Sequence, residues 1–157
     1  MPIVGIKEFR HLLPPKSRLL ALDHSPSRIG IAMADRETGV VGPLAVLRGK
    51  KFTENVELLA KVCREFGVTG LILGLPLNMD NTEGPRAQSV RHFALNLDRA
   101  QDKLGFAPVI TFVDERLSSF DADERLDDLD PRGRRKGREM QDALAACAIL
   151  EDALKLL

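Results

Sequence analysis

The first part of the chain alternates between short apolar runs and polar turns. Residues 19–22 are all apolar rather than alternately apolar and polar, which is typical of a central strand covered on both faces. Two further apolar segments follow at 29–34 and 40–47, and turn-forming residues separate them. Three short strands joined in this way predict an antiparallel meander.

The apolar period becomes helical after residue 53. Apolar side chains at 56, 59, 62, 63 and 66 form one stripe along a helix that begins at Thr53 and stops at Gly67. The elements predicted after it are a strand at 71–75, a helix between 87 and Gly105, a strand at 108–113, a short acidic helix from 118 or 119 to 129, and a final helix from about 139 to 156.

The element order β-β-β-α-β-α-β-α-α predicts an α/β fold. We expect a mixed five-stranded sheet, in which three antiparallel strands are followed by parallel strands, with helices on both faces. Residues 1–16 are interpreted as an N-terminal arm that stops at Pro14 and Pro15, and residues 17–157 as a single domain. A length of 157 residues is ordinary for one domain.

Composition excludes several classes of protein. With two cysteines, a disulfide framework and a four-cysteine zinc site are ruled out, and Cys63 and Cys147 are expected to be reduced core residues. No apolar stretch is long enough to span a membrane and the N-terminal segment is not a secretion signal, so we expect a cytoplasmic protein without a membrane partner. Basic and acidic residues number 23 each, so a nucleic acid would have to bind a local patch.

Four acidic residues stand at positions where an acid is costly. Asp23 follows the first strand, Asp114 and Glu115 follow the fifth, and Asp142 opens an apolar face of the last helix. Each has an ordinary alternative, as a turn residue, a helix cap or a partner of the helix dipole. If these chain segments meet at one edge of the sheet, their carboxylates suit Mg²⁺ or Mn²⁺. Two such ions would activate a water and stabilise the leaving oxygen in phosphodiester cleavage.

The most basic segment of the chain spans residues 131–138, and its proline and two glycines predict a loop. Its five cations are Arg132, Arg134, Arg135, Lys136 and Arg138. Because the segment directly precedes Asp142, we interpret it as a phosphate-binding patch rather than as a solvated surface. Only 4% of the residues are aromatic, which favours recognition of backbone and shape over base stacking.

Five ordered motifs resemble the YqgF (RuvX) family of Holliday-junction-resolvase-like proteins and pre-16S ribosomal RNA nucleases, and the resemblance covers about residues 19–154. The motifs are Leu-Asp at 22–23 followed by Arg-Ile-Gly-Ile-Ala at 28–32, Leu-Gly-Leu-Pro-Leu-Asn-Met-Asp at 73–80, Glu-Gly-Pro-Arg-Ala at 83–87, Phe-Val-Asp-Glu-Arg-Leu-Ser at 112–118, and Asp-Ala-Leu-Ala-Ala at 142–146. The resemblance implies an RNase H-like fold and an acidic divalent-metal site. Position by position, that site falls on Asp23, Asp114 and Asp142, with Glu115 as an alternative or additional ligand.

Candidate contacts to nucleic acid are Arg28, Asn78, Arg86 and Arg116. For the last three the alternatives are turn chemistry, an exposed solvated cation, and a structural pairing with the neighbouring acids. The chain departs from the family at Ser25, where a glycine is usual, and the added side chain stands where backbone could approach a phosphate. His24 is assigned no catalytic role, because neighbouring side chains on a strand point to opposite faces.

These inferences lead to a metal-dependent nuclease. The substrate that the resemblance implies is structured RNA, specifically the 5′ end of precursor 16S ribosomal RNA, with precursor ribosomal particles as the expected partner. A four-way DNA junction is the alternative and would require a symmetric dimer, so the chain is expected to be a monomer or a homodimer. The alternatives of another class are a non-catalytic RNA-binding assembly factor and, ranked lowest, an ATP-binding module.

Overall fold

The computed structural model describes residues 3–48, 51–115 and 131–157, and within the last range the side chains of 137 and 140–157. The elements are α1 (Ile6–Leu12), β1 (Arg18–His24), β2 (Arg28–Asp35), β3 (Val41–Arg48), α2 (Phe52–Phe66), β4 (Val68–Leu75), α3 (Pro85–Arg99), α4 (Gln101–Leu104), β5 (Val109–Asp114) and α5 (Pro131–Leu156). In the described part of the chain, no helix is long and apolar enough to cross a membrane.

The strands form one mixed sheet in the order β3-β2-β1-β4-β5. The β1–β2 and β2–β3 pairs are antiparallel, whereas β4 runs parallel to both β1 and β5. The predicted mixed five-stranded sheet is therefore confirmed, and it agrees with the RNase H-like fold that the family resemblance implies. Because β1, β4 and β5 are parallel neighbours, their carboxyl ends meet at one edge of the sheet.

The sheet separates two apolar layers. On one side, Leu22 of β1 belongs to the same buried cluster as Val56 of α2 and Val90 of α3, and we call this side the α2–α3 face. On the other side, Ala21 of β1 shares a cluster with Ile149 of α5, and we call it the α5 face. Successive strand residues alternate between the two faces, which decides where each residue at a strand end points.

The N-terminal segment contributes to the second layer. Within α1, Phe9 is fully buried, and it joins the cluster on the α5 face together with Leu13. The backbone N–H of Val4 also donates to the carbonyl of Ile110 at the edge of β5 (2.8 Å). The residues predicted as an arm thus cover part of the sheet.

The basic segment 131–138, predicted as a loop, forms the start of α5 instead. Proline is well suited to the first turn of a helix, as Pro131 is here, because its missing N–H has no helical partner at that position. Arginine and lysine have good helix propensity, and the two glycines, at about 1 kcal/mol each, are tolerated because the later turns of α5 are held by their packing on the sheet. The predicted helix at 118–129 lies outside the described residues.

Candidate active site

Two carboxyl groups meet at the carboxyl ends of the parallel strands. Asp23 lies two residues after Ala21 in β1, and Glu115 lies two residues after Val113 of β5, so both are on the α5 face. The two side chains share a hydrogen bond, in which a protonated Glu115 donates to Asp23. The site is therefore assembled across three strands, since β4 lies between β1 and β5.

Gly74 of β4 makes room for this pair. A Cβ atom added at Gly74 would overlap the carboxylate of Glu115 and would stand 2.5 Å from Cδ1 of Ile149 on α5. Any larger residue would force the side chains of Glu115 and Ile149 to shift. The glycine thus lets the Glu115 side chain lie over β4.

The electrostatics of the pair are unfavourable to charge. Burial and, second, the negative charge of Asp23 together raise the pKa of Glu115 to about 7. Burial also raises the pKa of Asp23, followed by the charge of Asp142. Carboxyl groups that share a site cannot all ionise without a compensating cation. Around neutral pH, the pair therefore holds a proton that a cation could replace.

Asp142 reaches the same edge of the sheet from α5. The backbone carbonyl of Asp142 lies so close to Gly30 of β2 that a Cβ atom added at Gly30 would overlap it. Gly30 is also the cross-strand partner of Asp23 in the β1–β2 register. The close approach of α5 to the sheet at Gly30 is therefore what brings the third carboxylate near the first.

Arg28 of β2 holds the side chain of Asp142. Nε of Arg28 and Oδ2 of Asp142 are 3.0 Å apart, at side-chain exposures of 33% and 20%. The two atoms are close enough to form an ion pair, but their geometry is not that of a hydrogen bond. Arg28, predicted as a contact to nucleic acid, is thus engaged with a carboxylate of the site. In the described ranges, no three His, Cys, Asp or Glu side chains form a preassembled metal centre.

Asp114 points away from these three carboxylates, although its charge is a small further cause of the raised pKa of Glu115. It occupies the last position of β5, its side chain is exposed, and the alternation along the strand places it on the α2–α3 face. The strand therefore directs Glu115 rather than Asp114 toward Asp23. Periodicity along the chain could not reveal this, because either residue can be the one on the α5 face until the strand's register is known.

Arg86 is an exposed cation whose charge acts on both carboxyl groups of the pair. It stands in the first turn of α3, directly after Pro85, and its charge lowers the pKa of both Asp23 and Glu115. The same charge, together with burial, which is the larger cause, lowers the pKa of His24. An exposed guanidinium beside two carboxyl groups is well placed for a phosphate that approaches them.

Two other predicted residues stabilise turns. Nδ2 of Asn78 donates to Oγ1 of Thr82 (3.0 Å), and the backbone N–H of Asn78 donates to the Thr82 carbonyl (2.9 Å). The hydroxyl of Ser25 donates to the Arg28 carbonyl (2.9 Å) and accepts from the Arg28 N–H (3.2 Å). The serine that replaces the family's usual glycine is thus folded back into the turn between β1 and β2.

The remaining predicted contacts cannot be placed at the site by their side chains. Arg116 lies outside the described residues. Arg132, Arg134, Arg135, Lys136 and Arg138 lie on the first turns of α5, and their side chains are also outside the description.

Sequence reasoning overlooked Gly30 and Gly74, although a glycine inside a strand is a known signal of close backbone approach.

The whole domain matches one protein family. The model of the RuvX family, described as Holliday junction resolvase, matches residues 17–156. The chain belongs to this family. RuvX-family relatives of the chain include the "Putative pre-16S rRNA nuclease" of Rhodospirillum centenum, 40% identical over 100% of this chain and 83% of the relative. The protein of the same name from Ruegeria pomeroyi is 42% identical over 97% of this chain and 95% of the relative. This RuvX-family chain is accordingly a nuclease.

Two solved structures with remote similarity are resolvases. T. thermophilus RuvC, in complex with a Holliday junction substrate, is 12% identical, with a TM-score of 0.47 over 85% of this chain and 91% of that one. The yeast mitochondrial Holliday junction resolvase Ydc2 is 10% identical, with a TM-score of 0.48 over 96% of this chain and 85% of that one.

Proposed function

We propose that this chain is a divalent-metal-dependent nuclease that cuts structured RNA, specifically at the 5′ end of precursor 16S ribosomal RNA. The observation that carries the proposal is the cluster of Asp23, Glu115 and Asp142 at one edge of the sheet. The names of the relatives favour the RNA substrate, and precursor ribosomal particles in the cytoplasm are the proposed setting.

The chemistry of the cluster fits Mg²⁺ or Mn²⁺. Its donors are carboxylate oxygens, which these hard cations prefer. Burial is the largest cause of the raised pKa of both Asp23 and Glu115, and it is followed by the charge of Asp142 for Asp23 and by the charge of Asp23 for Glu115. We assign Asp23, Glu115 and Asp142 as ligands, in place of the predicted Asp114. When bound, a pair of such ions supplies an activated water and stabilisation of the leaving oxygen.

The chain's own residues prepare the site for this role. Glu115 must release its proton before it can bind a cation, which its pKa of about 7 allows near neutral pH. Arg28 holds Asp142 at 3.0 Å and thereby orients the carboxylate that α5 brings to the edge. Arg86 would then hold the substrate phosphate against the acidic cluster, and the cations at 132–138 would hold phosphates further along the backbone.

A four-way DNA junction is the second candidate substrate, because the family model is described as a Holliday junction resolvase. Symmetric cutting of two strands requires two active sites and hence a dimer. We therefore propose a monomer for the RNA activity and a homodimer for the junction activity, a difference that the mass of the protein in solution, free and with each substrate, would reveal.

The test is a cleavage assay on a precursor 16S fragment and on a four-way DNA junction, with Mg²⁺, Mn²⁺ or EDTA. The variants Asp23→Asn and Glu115→Gln are expected to lose at least about a hundredfold in rate, whereas Asp114→Asn retains activity and is the matched control. Equal loss in Asp114→Asn and Glu115→Gln would contradict the ligand assignment. A folded wild-type protein that binds RNA and cuts neither substrate with either metal would favour the non-catalytic assembly factor.

A further inference from the structure

A cavity lies directly beside the site, on the opposite face of the sheet. It has a volume of about 130 Å³ and is lined by the turn at residues 25–27, by His24 and Phe93, and by Phe52 and Asn55 at the start of α2. His24 follows Asp23 in the chain, but the alternation along β1 turns its side chain to the α2–α3 face. Of the residues that line the cavity, the mechanism proposed above uses only Arg28, which orients Asp142.

The walls of the cavity are aromatic, although aromatic residues are scarce in this chain. The ring of His24 stacks on Phe93 at a centroid distance of 4.5 Å and an angle of 28°. The ring of Phe52 packs on Phe93 edge to face, at 5.7 Å and 84°. The fold therefore collects three rings at the one strand end that also carries Asp23.

The ligand that these features suit is a small, flat ring. A closed cavity of about 150 Å³ binds benzene. This one is slightly smaller, at about 130 Å³, but it is open to solvent, so one six-membered ring can enter it with part of the ring left outside. Stacking on aromatic side chains is how proteins hold unpaired nucleobases. The half-buried Asn55 adds a polar side chain to this aromatic wall.

We propose that the cavity, here called the base pocket, holds one unstacked pyrimidine of the substrate, beside the phosphate that is cut. The inference rests on the proposed function, because it takes the substrate to be a nucleic acid whose backbone lies at Asp23. With a phosphate at Asp23 on the α5 face, the nucleic-acid backbone would pass over the turn at 25–27 and place a neighbouring base on the α2–α3 face. Binding of a base in the base pocket would thus determine which phosphodiester is cut, and the carboxylates would support its hydrolysis.

The geometry predicts a coupling between one substrate base and the pocket wall. In a precursor 16S fragment whose cut position has been mapped, each nucleotide near the cut is replaced in turn by an abasic sugar. At one position, the abasic sugar is expected to raise the half-saturating protein concentration in single-turnover cleavage about tenfold, as is typical for the loss of one stacked base. Uracil at that position is expected to restore tight binding.

The variants Phe52→Ala and Asn55→Ala identify the wall of the pocket. In either variant the abasic sugar should cost no further affinity, because the contact it removes is already absent. Thr53→Ala, an exposed neighbour in α2 that does not line the pocket, is the matched control and should respond to the abasic sugar as the wild type does. Circular dichroism checks that each variant folds. If Phe52→Ala does not fold, Asn55→Ala alone tests the wall of the pocket.

The outcomes separate the two proposals. If the wild type cuts the RNA but no abasic position weakens binding, the base pocket is refuted and the nuclease stands. The same holds if the loss of affinity from a variant and the loss from the abasic sugar simply multiply. If uracil binds no more tightly than the abasic sugar, the pocket is likewise refuted. If the wild type neither binds nor cuts RNA or a DNA junction, the proposed function fails and the base pocket fails with it.

Discussion

Replacement of Glu115 by glutamine is expected to stabilise the folded protein above pH 7, although Glu115 belongs to the candidate active site. In the wild type, an ionised Glu115 is half-buried and faces the charge of Asp23. A glutamine of nearly the same shape carries no charge, and its amide can still donate a hydrogen bond to Asp23. The variant therefore keeps the contact and removes the repulsion.

The magnitude follows from the pKa. The pKa of Glu115 rises from 4.5 in the unfolded chain to about 7 in the folded protein. Since one pKa unit corresponds to about 1.4 kcal/mol, this rise would make full ionisation cost the fold about 3.5 kcal/mol, and solvent screening of the half-buried side chain lowers that figure to about 3 kcal/mol at most. Between these two pKa values the folded state binds the extra proton, so the free energy of unfolding falls as the pH rises from 4.5 to about 7. Asp23 acts in the same direction, because its pKa is also raised.

The assay is thermal unfolding of the wild type and Glu115→Gln between pH 4 and pH 8.5 in EDTA. For a chain of this length, 1 kcal/mol shifts the melting temperature by about 2–4 °C, so the variant should exceed the wild type by roughly 6–12 °C at most above pH 7. The difference should vanish near pH 4, where both side chains are neutral. Asp114→Asn is the control, and as an exposed substitution it should change stability by no more than about 0.5 kcal/mol.

Divalent metal provides a second reading from the same experiment. If Asp23, Glu115 and Asp142 hold the cation, Mg²⁺ at ten times its dissociation constant should stabilise the wild type at pH 8 by about 1.4 kcal/mol and have little effect on Glu115→Gln. The reasoning is refuted if Glu115→Gln is as stable as the wild type or less stable at pH 8, or if Asp114→Asn reproduces its effect.

Three further substitutions test the packing around the site. Gly30→Ala should lower the free energy of unfolding, measured in urea, by at least about 2 kcal/mol, because the new Cβ would overlap the backbone of Asp142. Its control is Gly42→Ala, which should leave that free energy nearly unchanged, because a Cβ atom added at Gly42 has nothing within 4 Å. Ser25→Gly restores the family's usual residue and should cost about 1 kcal/mol, because the turn loses the hydroxyl's bonds to Arg28, and an unchanged melting temperature would contradict this. Arg28→Gln should cost about 1 kcal/mol and lower the affinity for Mn²⁺ measured by electron paramagnetic resonance, because Asp142 is no longer oriented.

The periodicity of apolar residues was sufficient to predict most of the elements. The strands at 19–22, 29–34 and 40–47 and the helix after residue 53 all form close to their expected bounds, because each buries an apolar run or stripe that is visible locally. The Cys63 and Cys147 side chains are buried and free, as their positions on helical stripes indicated. Helix α1 was missed, because Phe9 and Leu13 are too few to define a period.

The choice between Asp114 and Glu115 required the tertiary structure. The two acids are adjacent, and a shift of one residue in a strand exchanges the faces of all its side chains. Only the pairing of β4 with β5, and the space that Gly74 leaves above β4, put Glu115 against Asp23. The same kind of information was needed to see that Arg28 pairs with Asp142.

The sequence by itself determined the family, the mixed sheet and the acidic character of the site, because these depend on which residues follow each apolar run. The tertiary structure alone decided which carboxylates meet, that Arg28 pairs with Asp142, and that the rings of His24, Phe52 and Phe93 gather next to Asp23. The physical reason is that chemistry at the site depends on distances across the sheet between residues far apart in the chain, whereas apolar periodicity reports only on the element in which a residue lies.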